Sequence, residues 1–459
     1  MAEKDRVYFV IDMKSFFASV ECAERGLDAM TTDLVVADED RTDRTICLAV
    51  SPSLKEKGVK NRCRLYEIPK NLEYIIAKPR MKKYIEYAGE IYAIYLKYID
   101  KSDIHVYSID ECILDVTDYL KLYKIRAKDF AKKLMKEIWD ALGIPSSAGI
   151  GTNMYLAKIA LDITAKHSED RIGWLTEDKF KRMLWNHRPI TDFWGISTGT
   201  RDRLAKFGIH DMEGIASASE DLLYDEFGIN AEILIDHAHG KESCLMSDIK
   251  NYKSKSRSMS NSQILPCNYS YEDGKTILKE MIQEGCYRLA REHYATSLVH
   301  IYLSYGDEYK VGAKGTTRMS ETTNLYSIIG KYAEELYDKI YKDKTRPVRR
   351  VAFDFGDLVG ERAEQYDFFT DLKQVEKEKK LVFSVISLKE KYGKNAVLKG
   401  LDLKQKATQR ERNNMVGGHN GWEDKNATCR QGKTVCSFWC AQRIAGNNAD
   451  QRVWTWQNH

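Results

Sequence analysis

Ser108-Ile109-Asp110-Glu111, with Asp115 just beyond and Val10-Ile11-Asp12-Met13 far upstream, sets three carboxylates, Asp12, Asp110 and Glu111, at the ends of apolar, strand-like runs. Two divalent cations held a few Å apart need several anionic oxygens around them, so this is a pattern for two-metal phosphoryl transfer. Acids at strand ends also serve as solvated turn formers, and the pattern alone does not separate the two. The elements that must carry these residues decide more.

Val7-Tyr8-Phe9-Val10-Ile11 is a continuous β-branched and aromatic run, the signature of a strand buried on both faces, and it delivers Asp12 at its end. Ser15 to Glu21 then reads as the start of a helix beside that acid. Residues 104–108 and 112–116 read as two short strands that place Asp110 and Glu111 in or beside a hairpin. Helices are expected over 82–99, where Tyr84, Ala88, Ile91 and Tyr95 form an apolar stripe, and over 126–142, stopped by Gly143-Ile144-Pro145. A further helix over 153–166 starts at Asn153, a favoured N-cap, and buries Leu156, Ile159, Ala160 and Ile163.

Phe193-Trp194-Gly195-Ile196-Ser197-Thr198-Gly199 reads as a tight turn between helices, either a plain turn or one whose exposed N–H groups grip a phosphate. From residue 250 the order becomes strand, helix, two strands, helix, strand: strands over 250–259, 298–304, 310–318 and 348–356, helices over 272–293 and 324–342. That is a βαββαβ, ferredoxin-like motif. Lys253, Lys255 and Arg257 alternate along its first strand, and Lys310, Lys314 and Arg318 along its third. With a side-chain period of two, each set shares one sheet face, either solvated or a phosphate-binding stripe formed by adjacent strands.

The chain has 459 residues, 43% of them hydrophobic and 31% charged, which predicts a globular protein of three or more domains. No apolar run is long enough to span a bilayer, and Met1 to Arg6 shows no signal-peptide hydrophobic region, so a cytoplasmic protein is expected. The ten cysteines include no Cys-x-x-Cys pair and read as reduced core residues. A net charge of +4 says little about nucleic acid by itself. Residues 359–420 are polar, with a charged helix or linker at Lys373 to Lys380. The segment 421–459 is tryptophan-rich, with cysteine spacing that fits no zinc template.

Three ordered blocks carry a resemblance: Asp12-Met13-x-x-Phe16-Phe17-Ala18-Ser19-Val20-Glu21, Ser108-Ile109-Asp110-Glu111-x-x-x-Asp115, and Gly149-Ile150-Gly151-x-Asn153-x-x-x-Ala157-Lys158-Ile159-Ala160. In order, spacing and residue type the chain resembles the Y-family DNA polymerases, most of all the UmuC-type bacterial branch, over roughly residues 5–420. The resemblance implies an α+β, right-hand polymerase. It comprises a ferredoxin-like palm (1–15 and 82–170), small fingers (16–81), a helical thumb (171–245) with a helix-hairpin-helix near 193–209, and a little finger (250–358). An extension (359–420) and a divergent tail (421–459) follow.

The implied reaction is template-directed, lesion-bypass nucleotidyl transfer to a primer 3′-hydroxyl during damage tolerance. The implied catalytic residues are Asp12, Asp110 and Glu111. Two Mg²⁺ ions would be held by these acids and by the Met13 carbonyl. Phe17 is the implied steric gate against ribonucleotides, while Phe16 is core. Lys55 and Lys166 would bind the triphosphate, although the family's Tyr-x-x-x-Arg pair is here Pro52-Ser53-Leu54-Lys55. Gly195, Ser197, Gly199 and the two basic strands would bind primer-template DNA. Gln365, Phe368 and Phe369 resemble the motif that docks on a sliding clamp. The expected catalytic core is monomeric and not membrane-bound. Rival readings are a nucleotidyl cyclase on a similar palm and a non-catalytic repair accessory.

Overall fold

The buried run after Arg6 forms β1 (Tyr8–Met13) in a computed structural model that describes residues 6–39, 44–254, 257–306, 311–366, 368 and 370–420. The chain divides into two units at Lys253/Ser254. In the first, β1 is followed by α1 (Phe16–Ala23), β2 (Leu34–Val36), β3 (Ala49–Val50), α2 (Pro52–Glu56), β4 (Ile75–Ala77) and α3 (Met81–Leu96). Then come β5 (Ile104–Val106), β6 (Glu111–Asp115), α4 (Thr117–Leu122), α5 (Ala127–Leu142), β7 (Ser146–Gly151), α6 (Met154–Ile159) and β8 (Ile172–Leu175). The unit ends in short helices: α7 (Glu177–Leu184), α8 (Thr198–Ala205), α9 (Met212–Ser217), α10 (Glu220–Phe227), α11 (Asn230–Ala238) and α12 (Met246–Asn251).

The main sheet runs β5-β6-β1-β7-β8, antiparallel except for the parallel β7/β8 pair. A second, small sheet, β3-β2-β4, closes over Val35, Cys47, Val50, Leu54 and Cys63. The Gly149-Ile150-Gly151 motif has a steric cause. A Cβ on Gly149 would lie 2.0 Å from the Ala157 carbonyl oxygen, and one on Gly151 2.2 Å from the Ala157 nitrogen. Only glycine lets α6 lie this close to β7. The expected helix over 153–166 is α-helical only to Ile159. It then widens into a π turn over Ala160–Thr164 and tightens into a 3₁₀ turn over Ala165–His167.

The second unit contains β9 (Met259–Tyr269), α13 (Tyr271–Arg291), β10 (Tyr294–Tyr305), β11 (Ala313–Thr323), α14 (Tyr326–Ile340) and β12 (Val348–Gly356). Next come β13 (Val359–Gly360), α15 (Leu372–Tyr392) and α16 (Gln409–Arg412). The βαββαβ order is present. The sheet runs β11-β10-β12-β9 with every ladder antiparallel, so each helix-linked pair, β9/β10 and β11/β12, is parallel with one strand between. That is two interleaved split βαβ units. Gly285 of α13 sits so close to the sheet that a Cβ would meet Phe353 and Phe355 at 2.7 Å.

Two expectations fail here. The first basic segment is not a strand: α12 ends at Asn251 and β9 begins only at Met259. The alternation of basic residues and Ser over 253–258 supplies no apolar face to bury. The two basic segments are also not adjacent, since β9 and β11 are opposite edges with β10 and β12 between them. Lys255, Lys310, Phe369 and the segment 421–459 lie outside the described residues. Cys47, Cys112 and Cys286 are buried and reduced, as expected, whereas Cys267 is exposed. Among the described residues no helix is long and apolar enough to cross a membrane.

Candidate active site and nucleic-acid interface

β1 and β6 bring the motif acids together. Asp12 lies opposite Glu111 in the antiparallel ladder, and the Met13 N–H donates to the Asp110 carbonyl at 3.0 Å. Tyr107 to Asp110 form the β5–β6 turn, closed by the N–H groups of Tyr107 and Ser108 donating to the Glu111 carbonyl. Ser108 Oγ holds Asp110 Oδ1 at 2.6 Å. Asp115 is at the far end of the ladder, opposite Tyr8, where it binds Arg6 at 2.9 Å and Thr117 Oγ1 at 2.6 Å. It belongs to the fold rather than to the site.

Burial and mutual repulsion make this an electrostatically unsatisfied cluster. Asp12 is pushed well above the usual carboxylate range, first by burial and then by Asp110 and Glu111. Glu111 is pushed up to about 7, chiefly by burial, with Lys158 opposing the shift. Lys158 Nζ donates to Glu111 Oε2 at 2.9 Å and to Asp162 Oδ1 at 3.2 Å, and it sits 2.8 Å from Glu111 Oε1 as an ion-pair contact without hydrogen-bond alignment. Against its own burial, these two acids raise the Lys158 pKa, so it stays charged.

Lys158 was missed in the sequence. Its signal was a lysine inside the apolar run Leu156-Ala157-Lys158-Ile159-Ala160, four residues before Asp162. The oxygen-only donor set of Asp12, Asp110 and Glu111 suits a hard divalent cation, and a cation would relieve the repulsion that raises Asp12 and Glu111. In their present rotamers Asp110 turns to Ser108 and Glu111 to Lys158. Among the described residues no three acids converge on one ligating point.

Phe17 is half-buried and stacks on Tyr84, with ring centroids 4.5 Å apart and planes 17° apart. Phe16 is buried. Between Asp12 and this helix, Ser15 adopts a left-handed conformation (φ 48°), and its hydroxyl accepts from Lys55 Nζ at 2.8 Å. Lys55 is on α2, the Pro52-Ser53-Leu54-Lys55 segment. Desolvation and then the like charges of Lys14 and Lys166 hold it below the ordinary lysine range, against the pull of Asp12. Lys55, Lys14 and Lys166 are thus a cationic group beside the acids.

The turn expected at 193–199 is preceded by a single 3₁₀ turn, Ile190–Asp192, not by an α-helix. Gly195 takes a left-handed conformation (φ +86°), Ser197 caps α8, and Gly199 lies inside the first turn of α8 rather than in the loop. In the second unit, Lys314, Thr316 and Arg318 are exposed on the face of β11 away from α13 and α14. Their cross-strand neighbours on β10 are Tyr302, His300 and Leu298.

Arg350 joins this face from β12, paired with Ser262 at 3.1 Å. It was missed because Val348-Arg349-Arg350-Val351 does not alternate cleanly. Arg318 is partly neutralised by Asp357 at 2.7 Å. Lys253 and Arg257 are exposed outside the sheet, the latter over the Tyr294 ring. Gln365 is pinned by paired backbone hydrogen bonds with Thr322, each 2.9 Å, and Phe368 is fully exposed.

The impB/mucB/samB family pattern matches residues 11–162, and its C-terminal domain pattern matches residues 256–368. The Bacillus subtilis protein UvrX, named for UV-damage repair, is 31% identical over 414 residues, 89% of this chain and 96% of that one. DNA polymerase IV 2 of Bacillus subtilis is 29% identical over 420 residues, 91% and 99% of the two chains. A solved Y-family DNA polymerase chimera shares the fold with a TM-score of 0.61 at 22% identity, covering 77% of this chain and 99% of its own. Nucleotidyl transfer in this family is metal-dependent, on primer-template DNA and nucleotide substrates, and an accessory without activity is not favoured. The chain therefore belongs to the impB/mucB/samB family and is a Y-family, lesion-bypass DNA polymerase.

Proposed function

We propose that Asp12, Asp110 and Glu111 are the catalytic acids and that, with the Met13 carbonyl, they hold two Mg²⁺ ions. The carrying observation is the Asp12–Glu111 register next to Asp110, with Asp12 and Glu111 both driven to high proton affinity. Bound there, the ions supply charge neutralisation at the triphosphate and activation of the primer 3′-oxygen. The chain's own contribution is positional. The Ser108 hydroxyl orients Asp110, and Lys158 holds Glu111. Lys55 and Lys166, with Lys14, meet the triphosphate as point charges, without the bidentate geometry an arginine would give. Phe17 is the steric gate.

DNA is gripped without sequence reading by three surfaces. These are the Gly195–Ser197–Gly199 turn, the sheet face that carries exposed Lys314 and Arg318 with half-buried Arg350, and the basic residues Lys253, Lys255 and Arg257, with Lys310 as a further phosphate contact. The two basic segments act as separate contacts and not as one stripe. The palm spans 1–15 and 82–170, the fingers 16–81, the thumb 171–245 and the little finger 250–358. Gln365, Phe368 and Phe369 dock the otherwise monomeric enzyme on a sliding clamp, in the cytoplasm at the nucleoid. The exposed Phe368 beside a backbone-anchored Gln365 supports this, since a bare aromatic anchor suits a partner pocket. Primer extension with Mg²⁺ on undamaged and abasic templates tests the whole reading. Templated products that cross the abasic site are expected, and no extension on either template would overturn it.

A further inference from the structure

Glu21 is a fully buried acid of the first unit with several charge-assisted partners, and no step of the nucleotidyl transfer uses it. It is 0% exposed, yet its carboxylate takes Arg80 Nε at 2.9 Å, Arg80 Nη2 at 2.9 Å, the Tyr84 hydroxyl at 2.8 Å and the Arg25 guanidinium. Burial alone would raise its proton affinity. The hydrogen bonds from Arg80, Arg25 and Tyr84 outweigh burial and hold the carboxyl below its ordinary range. Arg80 and Tyr87 also bind the neighbouring Glu24, at 3.3 and 2.9 Å. These charge-assisted bonds converge on one ring: Tyr84, itself 0% exposed, is fixed at its hydroxyl end and carries Phe17 stacked on its face.

A steric gate acts through repulsion that rises steeply with approach, so its selectivity depends on how far its ring can yield. Phe17 is half-buried, and its only flat support is Tyr84 among the ring contacts of the described residues, Phe16 being tilted at 47°. We propose that Tyr84, tethered by Glu21 and Arg80, is a specificity-determining positioning residue: it fixes the plane of Phe17 and so sets discrimination against the ribonucleotide 2′-hydroxyl. This rests on the gate reading of Phe17. If the cluster were only a structural joint between α1 and α3, its loss would weaken both substrates alike.

The test measures kcat/KM for a dNTP and the matching rNTP on one primer-template, using the full chain and the variants Phe17→Ala, Tyr84→Leu and Tyr84→Phe. Tyr84→Leu should lower discrimination by about ten-fold or more, and Tyr84→Phe, which keeps the ring and loses the tether, by about three-fold, as expected for sub-Å yielding in a packed pocket. The dNTP kcat should stay within about three-fold of wild type, because nothing at the acids moves. An unchanged ratio in Tyr84→Leu overturns the proposal, and if that variant does not fold, an unchanged ratio in Tyr84→Phe does so. Phe17→Ala reports on the gate separately: if it still rejects ribonucleotides, the gate reading itself is wrong, whatever the Tyr84 variants show.

Discussion

Lys158→Met removes the ammonium that sits 2.8 Å from Glu111 and 3.2 Å from Asp162. Lys158 and Glu111 are each 7% exposed, so solvent and salt screen the pair little. Breaking a buried ion pair from one side costs about 3–5 kcal/mol, because a buried charge is left without a partner. Glu111 can escape that cost by taking a proton. Burial already raises it to about 7 with Lys158 present, and without Lys158 it rises further. A carboxyl whose folded pKa exceeds its ordinary value of 4.5 favours folding below 4.5 and loses that contribution as pH rises through the folded pKa.

Wild-type protein therefore stops losing stability to this group near pH 7, and Lys158→Met goes on losing it above pH 7. The gap between them should widen by up to about 1.4 kcal/mol per pH unit in that range. Urea unfolding of the metal-free protein at about pH 6 and about pH 8.5 reads the difference. A small penalty at the lower pH and a large one at the higher is expected, with Lys158→Met/Glu111→Gln recovering most of it. A loss of equal size at both pH values, or one under about 1 kcal/mol at the higher, would refute the reasoning.

Gly149→Ala should destabilise the protein by about 1–3 kcal/mol or more, seen as a lower Tm, because its Cβ would meet the Ala157 carbonyl at 2.0 Å; incorporation should fall with it as α6 and Lys158 are displaced. Lys314→Ala with Arg318→Ala should reduce the salt slope of DNA binding by about one unit for each phosphate no longer neutralised and leave base preference alone; an unaltered slope would mean this face is bare to solvent. Phe368→Ala should abolish stimulation by the sliding clamp while clamp-free extension persists, as expected for loss of tethering alone.

The acids were legible because a strand buried on both faces must be a continuous apolar run, and such a run leaves its terminal Asp12 conspicuous. The helices α13 and α14 were legible for the same reason, each showing one clean apolar stripe. Strand β9 was not. As an edge strand it buries few residues, Met259, Leu265 and Tyr269, so its pattern is faint and the basic alternation before it reads as the stronger signal. Sheet order was likewise hidden, because which strand lies between two others is set by long-range packing. Lys158 could have been found from an out-of-place charge in an apolar helix, but the Glu21–Arg80–Tyr84 cluster joins residues 59 to 63 positions apart and leaves no local trace.

The central claim is that Asp12, Asp110 and Glu111 work as one charge-bearing site. It is tested most directly by single-turnover nucleotide incorporation in Asp110→Ala, with primer-template affinity measured on the same protein. Incorporation should be lost by several orders of magnitude while DNA affinity stays near wild type, since the missing carboxylate holds transition-state charge and no phosphate of the duplex. Incorporation at the wild-type rate, or a loss explained entirely by weakened DNA binding, would contradict it.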